Sequence, residues 1–178
     1  MSEINLDTWI ISDTHFGHYN MIKLCGRPLN FNEKIINNWN KLVDKNCHIL
    51  HLGDVAIWFG PTRDMWHKNL SNLPGYKTII RGNHDEQEKY YYTIMCKSKM
   101  LDDKISLTIN KIKIIFSHEP QESSDEWDVN IHGHVHNNAH RNDYNFDWEN
   151  DPRWINVSIE VMDYKPWKLG DILEKRLS

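Results

Sequence analysis

The feature that most constrains this chain is a repeated one: a short apolar run that stops on a polar turn rich in Gly, Asp, Asn and His. Thr8 to Ser12 leads into Asp13-Thr14-His15, His48 to Leu52 into Gly53-Asp54, and Lys77 to Ile80 into Arg81-Gly82-Asn83-His84-Asp85. Lys111 to Ser117 stops at His118, and Val129 to His132 stops at Gly133-His134-Val135-His136. Runs of four to seven residues with such boundaries predict strands. Ile105 to Ile109 predicts a further strand, paired with the 111–117 run across a tight connection at Asn110. Ile155 to Met162 predicts another.

Helical spacing lies between these runs. Ile35, Ile36, Trp39, Leu42 and Val43 share one face, with Asn32 as the expected N-cap. Further helices are expected from Pro61 through Leu70, from Glu86 to Ser98, and from Leu169 to Leu177. Strand and helix alternate in the first half, and strands follow one another afterwards. That order predicts an α/β (α+β layered) fold: two mixed β-sheets flanked by helices. A length of 178 residues suits one domain spanning 1–178. The irregular stretches 121–128 and 137–151 read as surface loops beside the site.

Composition excludes several classes. The formal charge of −4 provides no global positive field for duplex nucleic acid. The longest apolar run falls far short of the roughly 18 residues that span a bilayer, and the first residues lack the basic flank and apolar stretch of a signal peptide. Three cysteines (Cys25, Cys47, Cys96) form no CxxC pair and leave an odd count, which suits reduced thiols and a cytoplasmic location.

In sheets with helices packed on them, ligands gather at the carboxyl ends of strands. Five turns then bring Asp13, His15, Asp54, Asn83, His118, His134 and His136 toward one edge. Spacing by two within Asp-x-His and His-x-His lets both side chains leave an extended segment on the same side. Gly53, Gly82 and Gly133 each precede a candidate ligand, permitting a sharp turn and close backbone approach. Any one of these motifs alone also reads as a capped turn or an exposed strand end. Five in succession, each closing an apolar run, argue for a shared metal site.

The ordered set Asp13-Thr14-His15, Gly53-Asp54, Gly82-Asn83-His84-Asp85, His118 and Gly133-His134-Val135-His136 resembles the calcineurin-like metallophosphoesterases, closest to their small bacterial and viral branch. The resemblance implies a dinuclear centre at the strand ends. Asp13, His15 and His136 would hold one ion, Asn83, His118 and His134 the other, and Asp54 would bridge them. A carboxylate can bridge because it offers two usable lone-pair directions. The mixed donor set suits Mn²⁺ first, with Fe²⁺, Zn²⁺ or Ni²⁺ as alternatives, and the lack of a Cys ligand disfavours a structural zinc site. His84 would protonate the leaving alkoxide or contact the phosphate, with Asp85 orienting and charging its ring.

Asn83 and His84 are also expected at the substrate, with Arg27 reaching the phosphate and His18 and Asn20 lining the pocket; a surface charge for Arg27 and turn capping for the other two are the plainer readings. His51 and His132 are expected to make ordinary hydrogen bonds within strands, and His48, His67 and His140 to lie at the surface. Tyr144, Trp148 and Trp154 read as a lid over the site or, more simply, as packing.

The implied activity is hydrolysis of a phosphodiester, cyclic or linear and nucleotide-like, by in-line attack of a metal-bridging hydroxide. Alternatives are a phosphomonoesterase, a nuclease, and a non-catalytic metal-binding scaffold. The expected partner is a small phosphoester substrate, with neither membrane nor duplex nucleic acid, and homo-oligomerisation stays open.

Overall fold

The computed structural model describes residues 4–137 and 144–177, so His140 and the middle of the 137–151 loop lie outside the described residues. In chain order the elements are β1 (Trp9–Ile11), α1 (Met21–Cys25), α2 (Phe31–Leu42), β2 (His48–His51), α3 (Arg63–Asn72), β3 (Tyr76–Ile80) and α4 (Lys89–Met95). Then follow β4 (Ser98–Leu101), β5 (Ile105–Ile109), β6 (Ile112–Ser117), β7 (Val129–His132), β8 (Trp154–Asn156), β9 (Trp167–Lys168) and α5 (Leu169–Leu177).

Two mixed sheets result. The first has the order β4-β3-β2-β1-β9, with β1 to β4 parallel and β9 antiparallel. The second has the order β5-β6-β7-β8, with β5 antiparallel to β6 and the rest parallel. Period-two alternation explains the layering. Ile11, Ile49 and Ile79 face the helices, where they meet Phe31, Ile35 and Trp39 of α2. Their neighbours Ile10, Leu50 and Ile80 face the second sheet and pack on Ile114, Phe116 and Ile131. Among the described residues no helix is long and apolar enough to cross a membrane.

Some boundaries differ from the sequence expectation. The helix expected over 86–98 ends at Met95, because Ser98–Leu101 pairs with β3 as an edge strand. The strand expected over 155–162 is only β8; beyond it Ser158 makes an isolated bridge to Ser12, and the chain then turns. Helix α2 starts one residue before Asn32, whose buried side chain accepts the Gly17 N–H at 2.9 Å instead of capping the helix. His67 is buried, not superficial: its Nδ1–H donates to the Arg63 carbonyl at 2.9 Å, and its ring packs edge-on against Tyr91 and Tyr92. His48 is half-buried and contacts Thr78 Oγ1 at 3.0 Å.

Candidate metal centre

Parallel strands β1, β2 and β3 end side by side, and β6 and β7 end opposite them. Backbone hydrogen bonds lock these ends together: Asp13 N–H donates to Gly53 O at 3.0 Å, and Gly133 N–H to His118 O at 2.9 Å. The Asp13 carboxylate accepts the His134 N–H at 3.0 Å, joining the two sheets at the site. Gly53 is held at φ +95°, where a Cβ would lie 2.6 Å from Gly82 Cα and 2.7 Å from His118 Nδ1. A Cβ on Gly133 would collide with Ser12 Oγ and the Asp13 carboxylate. Glycine is required at both positions by close approach.

The Asp-x-His and His-x-His segments are not extended, as the spacing had suggested. Asp13, His15, Asp54, His134 and His136 all have positive φ, between 45° and 69°. Asp and His tolerate this left-handed region better than most residues, yet each still carries strain on the order of 1 kcal/mol or more. Compensation comes from the intervening residues. Thr14 is buried and donates its hydroxyl to Val55 O at 2.6 Å, and Val135 is wholly buried.

All seven candidate ligands converge. The ligand atoms of Asp13, His15 and His136 lie within 4.8 Å of one another, as do those of Asp54, His118 and His134. Asn83 Oδ1 lies 2.9 Å from both His118 Nε2 and His134 Nδ1, and those two nitrogens are 3.1 Å apart. Asp54 Oδ2 stands between the groups, 3.3 Å from His15 Nε2 and 3.5 Å from His118 Nε2.

Hydrogen bonding at the far nitrogens shows what the cluster fits. His118 Nδ1 lies 2.7 Å from the Leu52 carbonyl, so it carries the ring proton and leaves a lone pair on Nε2. That lone pair faces the carbonyl oxygen of Asn83, a repulsive pairing unless a cation or proton sits between them. His136 Nδ1 likewise faces Glu160, at 3.1 and 3.2 Å from its two oxygens, leaving Nε2 for the cluster. These arrangements fit two divalent cations held by nitrogen and oxygen donors. Cys25 also lies near His136 and Glu160. There, however, the Nδ1–H of His136 and the positive Arg27 already occupy Glu160, which disfavours a further ion.

Electrostatics within the cluster are strongly shifted. Burial alone would raise the Asp54 carboxyl, but the adjoining His118 and His15 rings outweigh it and hold the group well below the usual carboxylate range. Asp13 is lowered in the same manner, burial being outweighed chiefly by His136 and His118.

The remaining candidates divide. His84 sits at the cluster: its backbone N–H donates to Asp54 Oδ1 at 2.9 Å, and its ring stacks on Trp58 with centroids 3.9 Å apart. Burial lowers its pKa. Asp85 neither orients nor charges that ring. Its Oδ2 accepts the Asp54 and Gly82 amides at 2.8 and 2.9 Å, and its Oδ1 accepts the Val55 amide and the Tyr92 hydroxyl, each at 3.2 Å. Burial, then the neighbouring Asp54 charge, push its carboxyl up to about 6.

Arg27 is neither a phosphate contact nor a surface charge: it is buried, with all its described bonds going to Asp13 O, Thr14 O and Glu160. His18 lines the cluster, 5.5 Å from the His15 ring and edge-on to Trp58, and burial takes its pKa down to about 4. Asn20 is exposed at the start of α1, away from the ligands' hydrogen-bond network among the described residues. Trp154 packs on Trp127 and Phe146 rather than forming a lid, and Trp148 packs beside them. Tyr144 reaches the rim, 6.5 Å from the His134 ring. His51 and His132 lie in β2 and β7 as expected; their rings bond to Thr14 Oγ1 and to the Gly133 carbonyl, and His132 Nε2 is buried without a hydrogen-bond partner among the described residues.

Two residues at the site were not foreseen. Glu160 is an acid inside an apolar run, and Trp58 lies on the same β2–α3 loop as Gly53-Asp54; both positions carry a signal.

Comparison with known proteins agrees with this geometry. An uncharacterised protein of Methanocaldococcus jannaschii is 34% identical over 174 residues, covering 93% of this chain and 89% of that protein. The gene 66 protein of Mycobacterium phage L5 is 31% identical over 84 residues, covering 44% of this chain and 40% of that protein. A crystal structure of a protein of unknown function from Aquifex aeolicus is similar with a TM-score of 0.73 at 27% identity, covering 94% of this chain and 98% of that one. The family model of the calcineurin-like phosphoesterase superfamily domain matches residues 6–156, which include every candidate ligand. On that match, and on the two mixed sheets that carry it, the chain belongs to the calcineurin-like phosphoesterase superfamily.

Proposed function

We propose that this chain hydrolyses a small, nucleotide-like phosphodiester with two divalent cations, Mn²⁺ foremost. Asp13, His15 and His136 would hold one ion, and Asn83, His118 and His134 the other. Asp54 would be shared between them. The observation that carries this reading is the position of Asp54 Oδ2, within 3.5 Å of ring nitrogens from both groups. When bound, such ions supply Lewis acidity for the phosphoryl oxygens and a nucleophilic water.

The protein's own residues do the rest. Asp54 Oδ1 accepts the His84 backbone N–H, so the shared carboxylate is tied to the backbone that carries the proposed proton donor. Trp58 covers one face of the His84 ring and so restricts its plane. General acid assistance there is worth about 10²–10⁴-fold.

Two flanks support a diester with a nucleotide-like arm. On the His84 side Phe59 is 55% exposed and edge-on to Trp58, offering an aromatic face to a base. On the Asn83 and His118 side an open cavity of about 270 Å³ is lined by Arg81, Lys104, Glu119 and Gln121, with room for a polar second arm.

The test is hydrolysis of bis-p-nitrophenyl phosphate and p-nitrophenyl phosphate by metal-stripped protein, before and after Mn²⁺, with Asp54→Asn alongside. Mn²⁺-dependent turnover that favours the diester and disappears in the variant is expected. Turnover that survives stripping, or that the variant retains, would refute the reading.

A further inference from the structure

Behind one group of candidate ligands stands a buried ion pair, Glu160 with Arg27. Glu160 lies in the turns after β8, and its side chain is 2% exposed. Three donors meet it: Arg27 Nε at 2.7 Å, Arg27 Nη2 at 2.6 Å, and His136 Nδ1 at 3.1 and 3.2 Å from its two oxygens. Arg27 has two further bonds, donating from Nη2 to Asp13 O at 2.7 Å and from Nη1 to Thr14 O at 2.8 Å. Its guanidinium lies over the Phe31 ring, 5.0 Å from the centroid.

These bonds reach two ligands of one group, Asp13 and His136, and Thr14, which lies between Asp13 and His15. Asp13 and His15 both have left-handed backbone, and the two carbonyls beside them would be buried without a donor if Arg27 were absent. The Nε–Nη2 edge of the same guanidinium holds Glu160, and Glu160 accepts the proton of His136 from Nδ1. A ring with its proton there has only Nε2 to offer, on the side facing Asp13 Oδ1 at 3.9 Å. A ligand imidazole bonded to a carboxylate in this way is oriented and made more basic.

The other group has separate supports. Leu52 O receives His118 Nδ1, and the Asp85 carboxylate receives the amides of Asp54 and Gly82. The hydrogen bonds that connect Arg27 and Glu160 to the site run to Asp13, Thr14 and His136 alone among the described residues.

We infer that Glu160, anchored by Arg27, is a positioning residue that sets the tautomer of His136 and thereby controls the affinity of one metal site and not the other. The inference rests on the two-metal reading proposed above.

The test is a Mn²⁺ titration of the full, metal-stripped chain as wild type and as Glu160→Gln, followed by calorimetry, with ions per chain counted after dialysis. Wild type should bind two ions. Glu160→Gln keeps an acceptor but loses the charge that balances Arg27, and should weaken one site about 10- to 100-fold while leaving the other unchanged. Equal weakening of both sites, or of neither, overturns the inference. A wild type that binds no Mn²⁺ would instead refute the two-metal reading. A second measurement needs no variant: imidazole ¹⁵N spectra of the metal-free wild type report the tautomer of His136 directly. A proton on Nδ1 supports the assignment even if Glu160→Gln fails to fold, and a proton on Nε2 overturns it.

Discussion

Asp85 lies directly behind Asp54: its Oδ2 accepts the Asp54 amide at 2.8 Å, and its Oδ1 the Val55 amide at 3.2 Å. The same carboxylate holds Gly82 N–H, so it ties the loop after β2 to the loop after β3. Asp54 has φ +56°, and these amide bonds are what retain it there. The carboxylate next to His84 in sequence therefore serves the backbone of the shared ligand, not the imidazole.

Replacing Asp85 should cost stability first. Asp85→Ala leaves buried amides of residues 54, 55 and 82 without an acceptor, and each buried unsatisfied donor costs about 1–3 kcal/mol. Tyr92→Phe removes one hydroxyl bond to the same carboxylate and should cost only about 0.5–1.5 kcal/mol. Urea denaturation of the two metal-free variants should rank them in that order. Equal midpoints for Asp85→Ala and wild type would contradict the role assigned to the carboxylate.

His51 gives a pH prediction. Thr14 spends its hydroxyl hydrogen on Val55 O, so the 2.9 Å contact between Thr14 Oγ1 and His51 Nε2 is donated by the ring. Gly53 N–H donates to His51 Nδ1 at 3.1 Å, which fixes a neutral ring with no place for a second proton. Burial takes its pKa down to about 3. The unfolded chain takes up a proton near pH 6.5 that the native ring refuses. The native state therefore loses stability as pH falls from about 6.5 toward 3, by at most about 1.4 kcal/mol per pH unit from this group. Wild-type urea midpoints should fall between pH 7 and pH 5 more steeply than those of His51→Gln; parallel slopes would count against the fixed tautomer.

His84→Ala should lower turnover about 10²–10⁴-fold and leave the number of bound ions unchanged. The defect should be large for alkyl leaving groups and small for p-nitrophenolate, which departs without a proton. A defect independent of the leaving group would reassign His84 from proton donor to phosphate contact.

Phe59→Ala tests the aromatic flank. Stacking of a base on an aromatic ring is worth about 1–3 kcal/mol, so KM for a nucleoside diester should rise roughly 5- to 150-fold with kcat little changed. A methyl ester of the same chemistry should be insensitive. If both substrates respond alike, Phe59 supports the loop and not the substrate.

Much of this was legible along the chain. The five runs that lead into candidate ligands stop within one residue of the ends of β1, β2, β3, β6 and β7, where Gly53, Gly82 and Gly133 let loops touch, and the seven ligand candidates follow from those stops; the 155–162 run does not, since β8 ends at Asn156. What stayed hidden depends on contacts distant in sequence. Arg27 is separated from Glu160 by 133 positions, and only folding reveals that a loop arginine is buried beneath the carbonyls of Asp13 and Thr14. Asp85 stands beside His84 in sequence, which suggested a pair, yet the turn directs its carboxylate to amides across the next loop. Edge strands β4 and β9 were missed for a related reason: with few residues and mixed polarity, their pairing comes from β3 and β1 rather than from their own pattern.

The central claim is that two cations share Asp54. Crystals grown with Mn²⁺ and measured at the manganese absorption edge test it most directly, since anomalous peaks locate the ions without reference to activity. Two peaks about 3.5–4 Å apart are expected, one beside Asp13, His15 and His136, the other beside Asn83, His118 and His134, with Asp54 Oδ2 between them. A single peak, or two peaks that do not both contact Asp54, would contradict the account.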